Sequence, residues 1–292
     1  MESNFEAVMK LIVGGCRGTS PVAQPEFMKY GGETTAFLIE GARGERVLVD
    51  AGTGARPLGL RLDGEREISS LLMLFTHYHL DHVSGLPSLG LIYSPRWNIE
   101  MASPKRGGHL VGDVIPRLMH RPFWPLQVED LKSRIQFTTL RGSNSVAPRN
   151  FGGLQIRWCG LHHPDGSTAY RIDEPASGAS CVIATDMEWG ESNEEERAHF
   201  LRLCREPSPV SLLLMDGHYC DNEYAEFKGW GHSTWQDCIR VAQESCAKKL
   251  LVTHHAPSRS DESLVALDVE VHRAWPWAAL VREGMEIKVG ES

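Results

Sequence analysis

The segment THYHLDHVSG at residues 76–85 holds the densest group of reactive side chains, directly after the apolar run LLMLF. It carries His77, His79, Asp81 and His82 within six positions. His77 and His79 alternate along an extended chain, so their side chains project to the same side. Imidazoles and carboxylates suit Zn²⁺, Mn²⁺ or Fe²⁺ rather than copper(I) or iron–sulfur clusters. One histidine here would be a structural residue, but four such groups together predict a metal site.

Polar residues also end several other apolar runs of the chain. RVLVDAG, SCVIATD, SLLLMDGH and KLLVTHHAP are typical of buried strands, and SSLLMLFTH is apolar throughout, as in a strand covered on both faces. Ligands of layered α/β folds bind at the carboxyl ends of strands, because loops converge there on a rigid frame. We therefore expect one shared site from the residues at these five strand ends, which are Asp50, His77, Asp186, Asp216 and His254.

The remaining patterns alternate strands with helices. AFLIEG and RVLVDAG are separated by ARGE, which predicts a β-hairpin, and QIRWCGLHH predicts a further strand. The acidic stretch EWGESNEEERAHFLRLCRE at residues 188–206 predicts a helix. HSTWQDCIRVAQESCAKK at residues 232–249 predicts an amphipathic helix that begins near Ser233 or Thr234. The sequence therefore predicts an α/β protein without internal repeats.

The spacing His77-x-His79-x-Asp81-His82 resembles the signature of the metallo-β-lactamase superfamily. The resemblance extends along most of the chain, and it implies a single αββα sandwich over residues 1–292. Such a sandwich has two mixed β-sheets with helices on the outer faces. Asp50 in LVDAGTG resembles the aspartate of that family that supports the metal ligands ahead of the motif.

The same resemblance implies the remaining ligands. His163 is preferred to its neighbour His162, because His163 stands seven residues before Tyr170, a spacing that resembles the RNase Z-like branch. His254 resembles the last histidine ligand, with the adjacent His255 as the alternative. The implied centre contains two divalent metal ions, for which we expect Zn²⁺, with Mn²⁺ as the alternative.

Each ion has its own ligands in the implied centre. The first ion takes His77, His79 and His163; the second takes Asp81, His82 and His254; and Asp186 bridges the two. Two cations about 4 Å apart activate a shared water and stabilise both the attacking and the leaving oxygen. With two carboxylates the centre keeps a charge of about +2, which favours an anionic substrate such as a phosphodiester.

The segment GWGHSTWQDC narrows the reaction. His232, Ser233 and Thr234 resemble the GHST motif of the RNase Z and cyclic-phosphodiesterase branch, and Asp216 stands where that branch carries the acid that orients the histidine. The resemblance implies that His232, Asp216 and Asp81 are catalytic: hydroxide on the metals attacks phosphorus, and His232 protonates the leaving oxygen. The alternatives are a helix-capping or core histidine at 232 and a simple turn residue at 216.

Two absences bear on the substrate. Only 23 positions separate His163 from Asp186, which leaves no room for the long arm with which RNase Z grips tRNA. Cys16 stands alone, whereas the phosphoribosyl cyclic phosphodiesterases carry a cysteine cluster near the amino terminus. We therefore expect a small or cyclic phosphodiester, such as a cyclic nucleotide. The alternatives are a lactone, thioester or β-lactam hydrolase, a tRNA 3′-processing endonuclease, and a catalytically silent metal-binding protein.

Composition adds expectations about partners. The chain has 292 residues, of which 41% are hydrophobic and 23% charged, as in ordinary globular proteins. Its net charge of −8 argues against long nucleic acids as partners. Residues 91–157 nevertheless carry ten Lys/Arg against four Asp/Glu, a local charge of +6. This basic segment is either a solvated face or a positive wall beside an anionic substrate.

Features of the chain that bear on its cellular location are few. Residues 1–15 lack the basic start and apolar core of a secretory signal, and no apolar run approaches the roughly 20 residues that span a membrane. The seven cysteines are scattered, without a Cys-x-x-Cys pair. We expect a cytoplasmic protein without a membrane partner. The general frequency of twofold oligomers favours a homodimer.

Overall fold

Two seven-stranded β-sheets form the centre of the computed structural model, which describes residues 8–64, 68–142 and 147–290. The strands of the first sheet, in spatial order, are β14 (Glu286–Lys288), β1 (Lys10–Gly15), β2 (Ala36–Glu40), β3 (Arg46–Val49), β4 (Ser69–Leu74), β5 (Trp97–Pro104) and β6 (Arg134–Leu140). Those of the second sheet are β13 (Ala278–Leu280), β12 (Leu250–Thr253), β11 (Leu212–Asp216), β10 (Ala179–Ala184), β9 (Ser167–Glu174), β8 (Leu154–Leu161) and β7 (Arg149–Phe151).

Each sheet has an antiparallel half and a parallel half. In the first sheet β14, β1, β2 and β3 pair antiparallel, while β3 to β6 pair parallel. In the second sheet β7 to β10 pair antiparallel, while β10 to β13 pair parallel. The predicted hairpin is confirmed, since β2 and β3 pair antiparallel. Both sheets are therefore mixed, as expected.

Helices lie between the strands along the chain. The described residues form α1 (Ala55–Leu62), α2 (Leu80–Val83), α3 (Val111–Leu118), α4 (Glu194–Arg205), α5 (Tyr224–Phe227), α6 (Trp235–Glu244) and α7 (Asp261–Ala274), together with short 3₁₀ turns. In this part of the chain, none of the helices is long and apolar enough to cross a membrane.

Three apolar layers show how sheets and helices stack. Successive residues of a strand point to opposite faces, so Phe37 joins the layer between the sheets while Leu38 packs with α1 and α3. In the second sheet, Leu214 joins the central layer while Leu213 packs with α4, α6 and α7. The strands are apolar on both faces because both faces are covered. The expected αββα sandwich is confirmed.

Both predicted helices are shorter than their sequence patterns suggested. The acidic segment begins its helix only at Glu194, because Asn193 accepts a hydrogen bond from the Glu196 N–H while the Glu196 carboxylate accepts one from Asn193 N–H. The later helix begins after Thr234, whose Oγ1 accepts the Asp237 N–H at 3.1 Å. It stops before Cys246, which has a left-handed φ of 58°.

Candidate metal centre

The predicted site residues lie at the carboxyl ends of strands from both sheets. Asp50 follows β3 and His77 follows β4 in the first sheet. In the second sheet His163 follows β8, Asp186 follows β10, Asp216 ends β11 and His254 follows β12. Because these ends meet at one edge of the sandwich, residues distant in sequence form one cluster.

One group of possible ligand atoms surrounds one oxygen of Asp186. His77, His79, His163 and Asp186 each offer an atom within 4.8 Å of the others. His77 Nε2 lies 3.6 Å and His163 Nε2 lies 3.7 Å from Asp186 Oδ2. His163 Nε2 is 3.2 Å from His79 Nδ1. This is the set that the sequence assigned to the first ion, together with the bridging aspartate.

A second group surrounds the other oxygen of the same aspartate. Asp81, His82, Asp186 and His254 each offer an atom within 4.8 Å of the others. Asp186 Oδ1 lies 3.0 Å from His82 Nε2 and 3.3 Å from His254 Nδ1. Asp81 Oδ2 lies 3.3 Å from His82 Nε2 and 3.8 Å from His254 Nε2. Asp186 thus belongs to both groups, with Oδ2 near the histidines of the first group and Oδ1 near those of the second.

Unpartnered buried atoms indicate what these groups bind. His77 Nε2, His82 Nε2, Asp186 Oδ1 and His254 Nε2 are buried, and despite their short contacts none makes a hydrogen bond of suitable geometry with the described residues. A buried polar atom without a partner destabilises a fold, so such atoms need a ligand. All four are nitrogen or oxygen donors of the kind that bind divalent transition metals. The residues therefore fit two divalent metal ions.

The charges of this cluster are strongly coupled. Burial and the nearby His82 lower the pKa of His77 well below its usual value. Burial also opposes the charge of His82, but Asp186, Asp81 and Asp50 outweigh it and raise the pKa of His82 well above the usual value. Burial disfavours the charge of Asp186 as well, yet the surrounding imidazoles lower the pKa of its carboxyl group. The cluster therefore holds ionised carboxylates in a buried place where cations can neutralise them.

A second ring of contacts fixes the imidazoles. His82 Nδ1 donates to Asp50 Oδ2 at 2.8 Å, and Thr76 donates to both Asp50 oxygens. His163 Nδ1 donates to the carbonyl of Gly231 at 2.8 Å. Because one ring nitrogen is held in this way, the opposite nitrogen points into the cluster.

Backbone strain is concentrated at the same strand ends. Asp50, Asp186 and His254 have left-handed φ values of 60°, 56° and 62°. Such conformations are rare outside glycine and cluster at functional sites. Gly18 is required beside them for a different reason, since a Cβ there would stand 2.4 Å from the His254 ring.

His232 and Asp216 form the predicted pair beside the cluster. His232 Nδ1 donates to Asp216 Oδ2 at 2.8 Å, and both residues are buried. Burial opposes protonation of His232, but the Asp216 carboxylate outweighs it and raises the pKa of His232 to about 9. Thr234, rather than His232, caps helix α6. A protonated imidazole therefore faces the same cavity as the metal ligands.

The two neighbouring histidines that were alternatives point elsewhere. His162 is half-exposed and lies 3.2 Å from the Glu196 carboxylate. His255 is buried and donates through Nε2 to the Val281 carbonyl at 2.8 Å. The structure thus places His163 and His254 in the cluster. The hydrogen bonds decide between the neighbours, because His163 is held by the Gly231 carbonyl and His255 by the Val281 carbonyl.

The structure adds residues that sequence reasoning did not assign to the site. His218 stacks on the His232 ring at 4.6 Å and donates through Nδ1 to the carbonyl of His254 at 2.8 Å. Thr19 N–H donates to Asp81 Oδ2 at 2.8 Å. The position of His218 two residues beyond Asp216 was a signal for it. Thr19 acts through its backbone, so its side-chain type gave no signal.

Two adjacent cavities open at the cluster. The metal-site cavity, of about 780 Å³, is lined by members of both ligand groups and by His232. The side cavity, of about 450 Å³, is lined by His77 and His79 among others. The two cavities share His79 and Leu80 as a common wall.

Comparisons with known proteins agree with this geometry. The family model described as a beta-lactamase superfamily domain matches residues 45–255. The chain is 28% identical over 287 residues to the Ribonuclease Z of Pyrobaculum calidifontis, covering 88% of this chain and 90% of the relative. It is 30% identical over 280 residues to the Ribonuclease Z of Clostridium kluyveri, covering 84% and 87%.

Solved structures share the fold at lower sequence identity. The short form of human tRNase Z superposes with a TM-score of 0.67 at 20% identity, covering 97% of this chain and 100% of the other. A diphosphatase of the PhnP family superposes with a TM-score of 0.66 at 16% identity, covering 96% of each chain. These likenesses extend over nearly the whole sandwich.

Proposed function

The chain belongs to the beta-lactamase superfamily of metal-dependent hydrolases, in its RNase Z and phosphodiesterase-like branch, and on that premise we propose that it hydrolyses a small or cyclic phosphodiester, with a nucleotide as the substrate class. One observation carries the proposal. His232, held by Asp216 at 2.8 Å, opens into the same cavity as both ligand groups. A histidine–carboxylate pair there can serve a leaving oxygen that needs a proton.

The proposed ligand roles follow the two groups. His77, His79 and His163 would hold one ion and Asp81, His82 and His254 the other, and Asp186 belongs to both groups. Two divalent ions, when bound, supply an activated water and a positive field for the phosphate oxygens. Zn²⁺ and Mn²⁺ both suit this donor set.

The proton transfer depends on the orientation of the pair. Asp216 Oδ2 fixes His232 Nδ1, so Nε2 is the nitrogen left to face a substrate. Asp216 is itself fixed, because Oδ2 also accepts the Met187 N–H and Oδ1 accepts the His218 N–H. His232 therefore carries its acidic proton in a defined direction, and the leaving oxygen receives it. Asp81, whose Oδ2 accepts the Thr19 N–H, keeps its place in the centre through a contact that needs no metal.

The hairpin between His163 and Asp186 supports a small substrate. β9 ends at Glu174 and β10 begins at Ala179, so a turn of residues 175–178 joins them directly. An arm for gripping tRNA would enter between these two elements. The short turn favours a substrate that fits within the two cavities.

A second candidate function is cleavage of precursor tRNA. The observation that favours it is the name Ribonuclease Z carried by both relatives, which match this chain over most of their own length. The two candidate functions share the metal centre and the general acid. They differ in the part of the substrate that extends beyond the scissile phosphate.

A substrate panel separates the candidates. The protein, loaded in parallel with Mn²⁺ or Zn²⁺, is assayed on bis-p-nitrophenyl phosphate, on 2′,3′- and 3′,5′-cyclic nucleotides, on precursor tRNA, on a thioester and on nitrocefin. The proposal requires turnover of a small phosphodiester that exceeds turnover of the thioester and nitrocefin. Turnover of precursor tRNA alone would replace it with the second candidate.

A matched pair of variants ties that activity to the cluster. Asp186→Asn should abolish turnover, whereas Asp63→Asn, an exposed aspartate outside both ligand groups, should leave it unchanged. Equal activity of the two variants would show that a contaminating enzyme is measured.

A further inference from the structure

The side cavity has the walls of a site for a flat organic group. Leu80 and Phe123 at its rim are 70% and 78% exposed, although both are large and apolar. Tyr78, Val83 and Leu118 continue the apolar wall inward. Small-molecule sites combine such surfaces with a few polar groups, in volumes of about 300–1,000 Å³. At about 450 Å³ the side cavity falls within that range.

Arg106, which has no acidic partner among the described residues, supplies the polar group. Arg106 donates through Nε to Thr168 Oγ1 at 2.8 Å and through Nη1 to the Lys105 carbonyl at 3.1 Å. Neither partner is a carboxylate, and Nη2 makes no hydrogen bond with the part of the chain that the structure describes. Burial lowers the pKa of Arg106 because the charge is poorly solvated. A half-buried cation in this state favours a hydrogen-bond acceptor or an anion beside it.

The remaining charged residues of the cavity point the same way. Arg117 is the other arginine that lines the cavity, and Asp165 is the one carboxylate among its described lining residues. The cavity is therefore neutral to positive, and it disfavours cationic ligands. A nucleobase has flat apolar faces and an edge rich in hydrogen-bond acceptors, which matches the walls and the arginine.

The position of His232 determines which end of the substrate lies in which cavity. His232 lines the metal-site cavity and is absent from the lining of the side cavity. The leaving group must therefore lie on the His232 side, where its oxygen receives the proton. The part that keeps the phosphate lies across the common wall of His79 and Leu80.

We propose that the side cavity binds the nucleobase on the phosphate-retaining side of the substrate, between Phe123, Leu80 and Arg106. This subsite rests on the proposed phosphodiesterase function. In the reaction water adds to phosphorus, the bond from phosphorus to the leaving oxygen breaks, and that oxygen takes the proton of His232. The water proton is released, and the product is a nucleoside monophosphate whose base stays in the side cavity.

Two substrates with a common leaving group test the subsite. Thymidine 5′-(p-nitrophenyl phosphate) and methyl p-nitrophenyl phosphate release the same p-nitrophenolate, so they differ only in the retained group. The wild-type protein should prefer the thymidine ester in kcat/KM by about 5- to 150-fold, the range that base stacking supplies. Phe123→Ala and Arg106→Met should each lose most of this preference.

Matched controls lie outside both cavities. Trp277→Ala removes an aromatic side chain that is 58% exposed, as Phe123 is exposed. Arg134→Met removes an exposed arginine of the basic segment at the amino end of β6, whereas the metal centre lies at the carboxyl ends of its sheet. Both controls should keep the wild-type preference. Because Phe123 is largely exposed, its variant should fold normally.

Calorimetric titration with thymidine 5′-monophosphate and inorganic phosphate gives a readout that does not need turnover. The nucleotide should bind more tightly than phosphate, and Phe123→Ala should remove the difference. Turnover of both esters without preference, or a preference unchanged in Phe123→Ala and Arg106→Met, would overturn the subsite and leave the phosphodiesterase function standing. Without turnover of these esters and of the cyclic nucleotides the function fails, and the titration alone then decides whether the side cavity binds a base.

Discussion

Glu188 offers the sharpest test of how the fold positions the reactive histidines. Its buried carboxylate accepts hydrogen bonds from Tyr224 OH and Gly229 N through Oε1 and from Gly231 N through Oε2, each at 2.7 Å. The Gly231 carbonyl in turn accepts the bond from His163 Nδ1, and His232 is the next residue. One carboxylate therefore fastens the segment of residues 224–232. A metal ligand, His163, and the general acid, His232, both depend on this segment.

The substitution Glu188→Gln keeps the size of the side chain but replaces one acceptor oxygen by an NH₂ group. Tyr224 OH can rotate to accept from it, whereas an amide N–H of Gly229 or Gly231 cannot. At least one of these two N–H groups then loses its acceptor, which costs about 1–3 kcal/mol when it is the N–H of the buried Gly231. The remaining bonds also lose the strengthening by negative charge. We expect a total loss of about 2–4 kcal/mol in the free energy of unfolding.

Two measurements follow from that loss. Tm should fall by roughly 5–10 °C, since proteins of this size lose about 2–4 °C per kcal/mol. Metal affinity, measured by competition with a chromophoric chelator, should fall about 10- to 100-fold, as when other outer contacts of ligands are removed. The fall in affinity is specific to positioning, because a general loss of stability would leave the folded protein with its wild-type affinity.

Glu191→Gln is the matched control. Glu191 lies 2.9 Å from Lys228 of the same segment, but this ion pair is exposed, and exposed pairs contribute little. The control should keep both the Tm and the metal affinity of the wild-type protein. If Glu188→Gln behaved like Glu191→Gln, the idea that Glu188 fastens the segment would be refuted. A lower Tm with unchanged affinity would limit Glu188 to a structural role.

Three further substitutions test other parts of the centre. His232→Ala should lower kcat by about 10²–10⁴ while elemental analysis finds the wild-type metal content; lost metal would make it a ligand instead. Asp50→Asn should weaken metal binding about 10- to 100-fold, since it loosens His82, and unchanged affinity would contradict that role. Gly18→Ala should also weaken metal binding, because its Cβ would stand 2.4 Å from the ring of His254. A chelator titration that matches the wild type would show that the loop moves aside without displacing the ring.

Residues at strand ends could be predicted from the sequence because their signal is local. An apolar run followed by Asp or His indicates both the strand and the edge at which it ends, and all five predicted strand ends lie at one edge of the sandwich. The choice between adjacent histidines was harder. His162 contacts Glu196 and His163 contacts the Gly231 carbonyl, and only the spacing to Tyr170 favoured His163 in the sequence.

Contacts that depend on the packing of distant segments could not be predicted. Glu188 begins an acidic stretch that resembles the exposed face of a helix, yet it lies six residues before α4 and is buried. Its partners at Tyr224, Gly229 and Gly231 lie 36 to 43 positions away along the chain. No local pattern connects these segments, so the fastening of the His232 segment appears only in the folded chain.

The basic segment shows why an average charge does not define a substrate. Arg149 pairs with Glu100 and Arg157 with Asp173, so these charges are used within the fold. Of the arginines in this segment, Arg106 and Arg117 line the side cavity. The sequence count of +6 therefore combines a solvated, partly paired face with a small positive wall.

The positive wall of the side cavity also bears on the choice between the two candidate functions. A side cavity of about 450 Å³ can take one nucleobase, whether the base belongs to a mononucleotide ester or to the nucleotide beside a cleaved phosphate in RNA. Base preference at this subsite is therefore expected under both functions. The discriminating contacts must lie beyond the first nucleotide, where RNA needs many phosphate contacts and its affinity falls steeply with salt. A kcat/KM for precursor tRNA that hardly changes between low and physiological salt would thus argue against an extended RNA surface, even if tRNA were cleaved.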